Sequence, residues 1–222
     1  MVRNWHIMAL HHVQMDQDGN EGIPKTKRRK KHMPVKKLPL FPTLFFVGLL
    51  MACVPSLQPF FTPADLTFEP KLVGKWSADN SNDSWEFRRN GDKSYMLIYT
   101  DKNGQAGHFD AHLFKLGDLM LLDLYPDDDT VENLEAPDFY RVHIMPIHTL
   151  ARIDSIGPTL VMSFMHPKWL DEHLATNPDS IPHTRVKDRI VLTGTTRQLQ
   201  DLVTKHGATE NFFTRPMDLL PH

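Results

Sequence analysis

The sequence predicts a mainly β fold, an antiparallel barrel or sandwich that carries two packed amphipathic helices near its C-terminal end. From residue 71 onward, short runs of strand-forming residues alternate with turn-forming residues. The turn signals at 90–92 and 116–118 each contain a central glycine and favour tight hairpins. Strands such as the one at 119–122 are apolar on both faces, so we expect further structure to cover the outside of the sheet.

The predicted strands follow one another at the close spacing of a meander. Short connections between them make neighbouring strands antiparallel, which an up-and-down barrel and a sandwich satisfy equally well. The pattern alone therefore leaves both architectures open. The expected strands are 71–77, 84–89, 94–100, 107–115, 119–125, 139–145, 148–154, 159–165 and 189–193.

Two helices are expected to cover the sheet. The first, 167–176, begins with a proline, which the first helical turn accepts, and carries its apolar side chains on one side. The second, 196–206, is preceded by Thr195, and Gln198 follows at the spacing of a capping box. Gly207 then stands in the position at which helices commonly end.

Charge divides the chain at Cys53. Nine Lys and Arg stand against three Asp and Glu before this residue, a balance of +6. From Cys53 onward, 16 Lys and Arg stand against 24 Asp and Glu, a balance of −8. The acidic body excludes nucleic acid as an expected partner, because neutralising phosphates requires clustered Lys and Arg.

The basic leader has the organisation of a secretory signal. Basic residues precede an apolar stretch of 15 residues at 38–52. At about 1.5 Å per residue, a helix of that length is shorter than the roughly 30 Å hydrocarbon layer. We therefore divide the chain into an over-translated or disordered N-terminus at 1–32, a signal peptide at 33–52, a tether at 53–70, a β-domain with helices at 71–208 and an irregular tail at 209–222.

Leu50, Met51, Ala52 and Cys53 resemble the bacterial lipobox, and Cys53 is the only cysteine of the chain. The resemblance implies that the signal is cut between Ala52 and Cys53, and that lipid is attached to the cysteine. It implies an exported protein held by a lipid anchor on the periplasmic or extracellular side of a membrane. Since Val54 is not a retention signal, the outer membrane is expected in a Gram-negative cell. The alternative is an uncleaved signal anchor with an incidental cysteine.

Gly74 and Trp76 resemble the Gly-x-Trp opening of the lipocalins. The resemblance implies an up-and-down barrel closed at one end by the tryptophan. Together with the lipobox, the stretch 56–76 also resembles a group of uncharacterised bacterial lipoproteins, which implies export but no activity. The candidate ligand-binding residues inside such a barrel are Trp76, Trp85, Tyr95 and Tyr99.

No motif indicates catalysis. The single cysteine is assigned to lipid, and neither a Gly-x-Ser-x-Gly elbow nor a phosphate-binding loop occurs. His108, Asp110 and His112 alternate along one predicted strand, so they share a face and are candidate zinc ligands with His143 or His148. The alternative is the polar face of an amphipathic strand, and no cofactor is expected.

Two non-catalytic functions therefore remain open from the sequence, with a hydrolytic or metal-dependent enzyme as a third alternative. The first is a non-catalytic domain that binds a small apolar or amphipathic ligand inside a hollow barrel. The second is a structural or interaction lipoprotein with a filled barrel that contacts another envelope protein. A cavity lined by the aromatic candidates favours the first, and a contiguous exposed apolar patch favours the second.

Overall fold

The computed structural model describes residues 53–127 and 136–222. The predicted leader, with Leu50, Met51 and Ala52 of the lipobox, lies outside these described residues. No helix in the described ranges is long and apolar enough to cross a bilayer.

Eleven strands and three α-helices form along the described chain, with one 3₁₀ turn before the second strand. In chain order they are β1 (Pro55–Ser56), the 3₁₀ turn (Pro70–Leu72), β2 (Gly74–Ser77), β3 (Ser84–Arg89), β4 (Tyr95–Thr100), β5 (Ala106–Leu116), β6 (Leu119–Pro126), α1 (Asp138–Arg141), β7 (His148–Ile156), β8 (Leu160–Phe164), α2 (Pro167–Thr176), β9 (His183–Val186), β10 (Arg189–Leu192), α3 (Thr196–His206) and β11 (Met217–Pro221).

Eight of the strands close into an antiparallel barrel, as one of the two predicted architectures requires. From β2 to β8, each strand pairs with the next in the chain, and β11 pairs with both β8 and β2. A closed ring leaves no open sheet edge among these eight strands. Beyond the ring, β1 pairs with the start of β7 and extends the sheet through β10 to β9.

Four segments differ from the predicted strand pattern. β1 and β9 were not predicted, and each joins the sheet by pairing with β10. The strand predicted at 139–145 is wrong, because this stretch forms α1 and an exposed connection, and β6 pairs directly with β7. The tail predicted as irregular at 209–222 contains β11, in which Leu219 is buried. Pairing on both sides within the ring stabilises β11, and such long-range pairing leaves no local pattern in the sequence.

The barrel interior is filled by side chains of its own strands. Trp76, Phe87 and Tyr95 are among its buried aromatic residues, and aliphatic residues of β4 to β8 and β11 surround them. The full set of buried residues in this cluster is Leu72, Trp76, Phe87, Tyr95, Leu97, Ala111, Leu113, Leu122, Leu124, Ala151, Ile153, Leu160, Met162, Phe164 and Leu219.

A second apolar core lies outside the barrel wall. Phe114, Leu121 and Leu150 extend from the wall into a cluster that includes residues of α2 and α3. Leu121 belongs to this outer core and its neighbour Leu122 to the inner one, and both are fully buried. Burial on both sides explains why β6 is apolar on both faces.

The segment predicted as a tether packs against the domain at several positions. Val54, Ser56 and Phe60 are buried, and β1 begins only two residues after Cys53. The physical reason is that Val54 and Phe60 join the outer apolar core. The start of the predicted tether is therefore part of the fold and not a solvated spacer.

Gly207 follows the last residue of α3, as predicted, but it does not adopt the left-handed conformation that usually favours glycine at a helix end. Its backbone is right-handed, with φ at −61°, so the freedom of glycine to adopt a left-handed conformation is not used. A Cβ at this position would lie 2.6 Å from the carbonyl oxygen of Val203 and 2.7 Å from Cδ1 of Leu119. Glycine is favoured here because a side chain would meet both the last turn of α3 and Leu119 at the start of β6.

We predict that Gly207→Ala lowers the free energy of unfolding by about 1–3 kcal/mol, because the methyl group overpacks this contact. Urea denaturation of wild type and variant measures the difference. Gly157→Ala is the matched control, since nothing lies within 4 Å of its Cβ position, and it should leave stability nearly unchanged. Equal effects of the two substitutions would contradict the packing explanation.

Candidate functional site

A buried carboxylate lies in the outer face of the barrel wall. Asp123 has 0% of its surface exposed, although its neighbours on β6 are leucines. The backbone N–H of Phe60 donates a hydrogen bond to Oδ2 at 2.9 Å, and Nδ1 of His148 lies 2.7 Å from Oδ1. Because a carboxylate only accepts hydrogen bonds, Nδ1 of His148 is the donor. Asp123 was not among the predicted site residues, although an acid within an apolar strand was a visible signal.

Two histidines flank this carboxylate on the neighbouring strands. His112 is directly opposite Asp123 in the β5–β6 register, and its ring stacks on Phe61 at 4.6 Å. Burial lowers the pKa of His112, while the charge of Asp123 acts in the opposite direction. His148 stacks on Tyr125 at 4.4 Å. Asp123 and His112 therefore hold Phe60 and Phe61, in the segment that follows β1, against the barrel wall.

Among the described contacts of Asp123 and His148, none is with a nucleophilic side chain. Ser56 is opposite His148 in the register, but its hydroxyl donates to the carbonyl oxygen of Gln58 at 2.8 Å. Within residues 53–127 and 136–222, no group of three or more His, Cys, Asp or Glu side chains is placed to hold a metal ion. The predicted zinc ligands His108, Asp110 and His112 thus gain no support from the described part of the chain.

Of the four aromatic ligand candidates, Trp76 and Tyr95 are buried in the barrel interior. The indole N–H of Trp76 donates to the carbonyl oxygen of Leu72 at 3.0 Å. The Tyr95 hydroxyl accepts from the backbone N–H of Glu69 at 2.7 Å and contacts its carbonyl oxygen at 3.1 Å. The polar atoms of Trp76 and Tyr95 are therefore bonded to the protein itself.

Trp85 and Tyr99 are half-buried, and their ring centres are 4.7 Å apart. Two depressions, with volumes of about 350 and 390 Å³, lie elsewhere. The first is at the barrel end beside the 118–120 turn and β7, and the second is formed by the connection 178–183 and α3. None of the four aromatic candidates lines either depression.

An apolar surface is exposed on the connection between β6 and β7. We call residues 138–145 the α1 segment. Phe139 is 80% exposed, Val142 76% and Met145 68%, and Tyr140 is also exposed. Several large apolar side chains thus face solvent within eight consecutive residues.

A histidine pair joins the two covering helices. The ring of His173 on α2 stacks on Trp169 at 4.8 Å and meets the ring of His206 on α3 at 4.7 Å. Nε2 of His173 is buried and has no hydrogen-bond partner. Burial is the main cause that lowers the pKa of both histidines, and the charge of Lys205 lowers each further. The contact therefore favours the neutral rings.

Comparison with known proteins finds no matching family, no matching curated protein and no matching solved structure. The resemblances to lipoproteins and lipocalins stay predictions. The function of the chain is therefore argued from its own residues.

We predict that the free energy of unfolding falls as the pH falls below about 6.5, the ordinary histidine pKa. The sign follows because the lowered pKa values of His173 and His206 leave the unfolded chain binding more protons than the folded one in that range. Urea denaturation at neutral and mildly acidic pH measures the fall. The double variant His173→Phe and His206→Phe should lose less stability, and His112 accounts for part of what remains.

His143→Gln on the exposed α1 segment is the matched control and should follow the wild type. A double variant that retains the full pH dependence would show that the helix contact is not its source.

Proposed function

We propose that the chain is a non-catalytic, lipid-anchored interaction protein of the cell envelope. Cys53 carries the lipid, the filled barrel is a rigid scaffold, and the α1 segment binds another envelope protein. The proposed location is the periplasmic or extracellular side of a membrane. The observation that carries the choice of an interaction role is the exposed apolar surface of the α1 segment on a barrel whose interior is full.

The lipobox supports the anchor, and the position of Cys53 is compatible with acylation. Cys53 is an exposed, free residue at the edge of the domain, although partial burial of its thiol raises the thiol pKa to about 11. Two or three acyl chains bury enough methylene groups for stable membrane binding, whereas a single chain is marginal. The interaction domain is then held stably at the membrane surface.

The packing of the barrel favours a partner over a small ligand. Small-molecule sites are typically concave cavities of about 300 Å³ or more, lined by apolar and aromatic residues. The aromatic candidates contact one another and their own backbone, and neither depression includes them. We therefore favour the second of the two functions that the sequence left open.

The α1 segment has the composition of a protein-binding surface. Phe139, Tyr140, Arg141 and Met145 are of the types that are enriched at protein interfaces. A membrane-surface helix usually has several turns with basic residues on its polar face, whereas α1 has four residues and begins with Asp138. The expected partner is an envelope protein with an apolar recess.

The test is photo-crosslinking in intact cells, with the full chain carrying a photoreactive amino acid at Val142. We predict a discrete adduct in the envelope fraction that mass spectrometry identifies as one envelope protein. The adduct should be lost when Phe139 is replaced by Asp, because a charge at the apolar centre opposes burial. Asp92, on the exposed β3–β4 turn, is the control position and should yield no such adduct.

Acyl labelling of the same cells tests the anchor independently. Labelling and membrane retention should disappear in Cys53→Ala. Unchanged labelling and retention in this variant would overturn the anchor, whereas an adduct at Asp92 equal to that at Val142 would overturn the assigned surface.

A further inference from the structure

The strands β1, β10 and β9 lie side by side beyond the ring, and the turn of the β9–β10 hairpin is at the same end of these strands as Cys53. β1 and β10 run parallel, with Ser56 paired to Leu192. Cys53 is three residues before Ser56, and Arg189 is three residues before Leu192. Because the two strands are parallel, the turn that precedes Arg189 lies beside residues 53–55.

Little chain separates the acylation site from the folded domain. Val54 is only 2% exposed, and β1 begins at Pro55. An acylated Cys53 thus holds this end of the domain directly at the headgroup layer. Whatever surface surrounds Cys53 must then meet lipid headgroups.

The hairpin turn combines an apolar residue with basic ones. Val186, which pairs with Arg189, is 56% exposed, and Lys187 and Asp188 form the turn between them. Arg185 adds a third cation, which is ion-paired with Asp171 on α2 at 2.7 Å.

Residues 186–189 contain two basic residues, Lys187 and Arg189, and one acidic residue, Asp188, so the turn has a net positive charge. An exposed apolar side chain between basic residues is a combination that suits the boundary between headgroups and acyl chains.

We propose that the β9–β10 turn, residues 186–189, docks on anionic phospholipid headgroups of the bilayer that holds the Cys53 lipid. This inference rests on the proposed anchor. Two cations and one valine make a weak contact by themselves. The lipid on Cys53 makes the contact intramolecular, however, so a weak attraction is enough to fix the orientation of the domain.

The orientation also suits the proposed partner surface. β7 runs antiparallel to β1, with Pro55 opposite Thr149 and Ser56 opposite His148. The chain that precedes His148 therefore continues past Ser56, away from Cys53. The α1 segment enters β7 from that side, so docking through the hairpin leaves it available to a protein partner.

The test uses the acylated, processed protein, purified from membranes and reconstituted in vesicles. Because acylation blocks Cys53, Val186→Cys supplies the single free thiol, which is labelled with a polarity-sensitive fluorophore. The control label is placed at Lys93→Cys, on the β3–β4 turn, since β3 is four strands from β7 in either direction around the ring. The vesicles contain phosphatidylcholine, with or without phosphatidylglycerol, and brominated acyl chains as quencher.

We expect strong quenching at position 186 in vesicles with phosphatidylglycerol, weak quenching without it, and little quenching at position 93. Replacing Lys187 or Arg189 by Ala should lower the ratio of docked to undocked hairpin about fivefold for each residue.

Mass measurement of the same preparation reports acylation of Cys53 separately. Acylated protein with equal quenching at both positions, or with quenching that the alanine variants do not change, would overturn the hairpin contact alone. A Cys53 without lipid would overturn the proposed anchor and the hairpin contact with it.

Discussion

The arrangement of the outer layer depends on one buried carboxylate. Asp123 lies on the outside of the barrel wall, where the N–H of Phe60 and the ring of His148 donate to its two oxygens. The amide of Gln200 on α3 in turn donates to the carbonyl oxygen of Phe60 and to Asp65. Barrel wall, N-terminal segment and α3 are thus joined through one polar chain. An unsatisfied buried carboxylate costs much more than an ordinary hydrogen bond contributes, so these contacts depend on one another.

These hydrogen bonds also help to set the positions of the two proposed surfaces, the β9–β10 turn and the α1 segment. Because the N-terminal segment is fixed on the wall, Cys53 leaves the domain beside the β9–β10 hairpin, and the α1 segment enters from the other side of β1. The filled barrel is the rigid body from which both surfaces project. A lipid-anchored interaction protein requires such a separation, with one end for the membrane and another for the partner.

Much of this architecture was predicted from local sequence patterns. The features that depend on contacts between distant residues were not predicted. Period-two patterns and glycine turns gave most barrel strands, because each hairpin forms between neighbours. β11 was missed because its stability comes from closing the ring, and the α1 segment was misread because exposed apolar residues imitate a strand. At the candidate site, Trp76 and Tyr95 were predicted as ligand-binding residues and are buried in the barrel, but a sequence pattern cannot show whether a barrel is hollow. Asp123 acquires its role through Phe60, 63 residues away in the chain, and through His148, 25 residues away.

The most direct test of the account is amide hydrogen exchange at Phe60 in Asp123→Ala, together with the free energy of unfolding. The account predicts that stability falls by about 2–4 kcal/mol. It also predicts that the Phe60 amide exchanges well before that of Leu97 in the barrel interior. Asp118→Ala on the exposed β5–β6 turn is the control and should change neither. A Phe60 amide that stays as protected as that of Leu97 in Asp123→Ala would contradict the central role of this carboxylate.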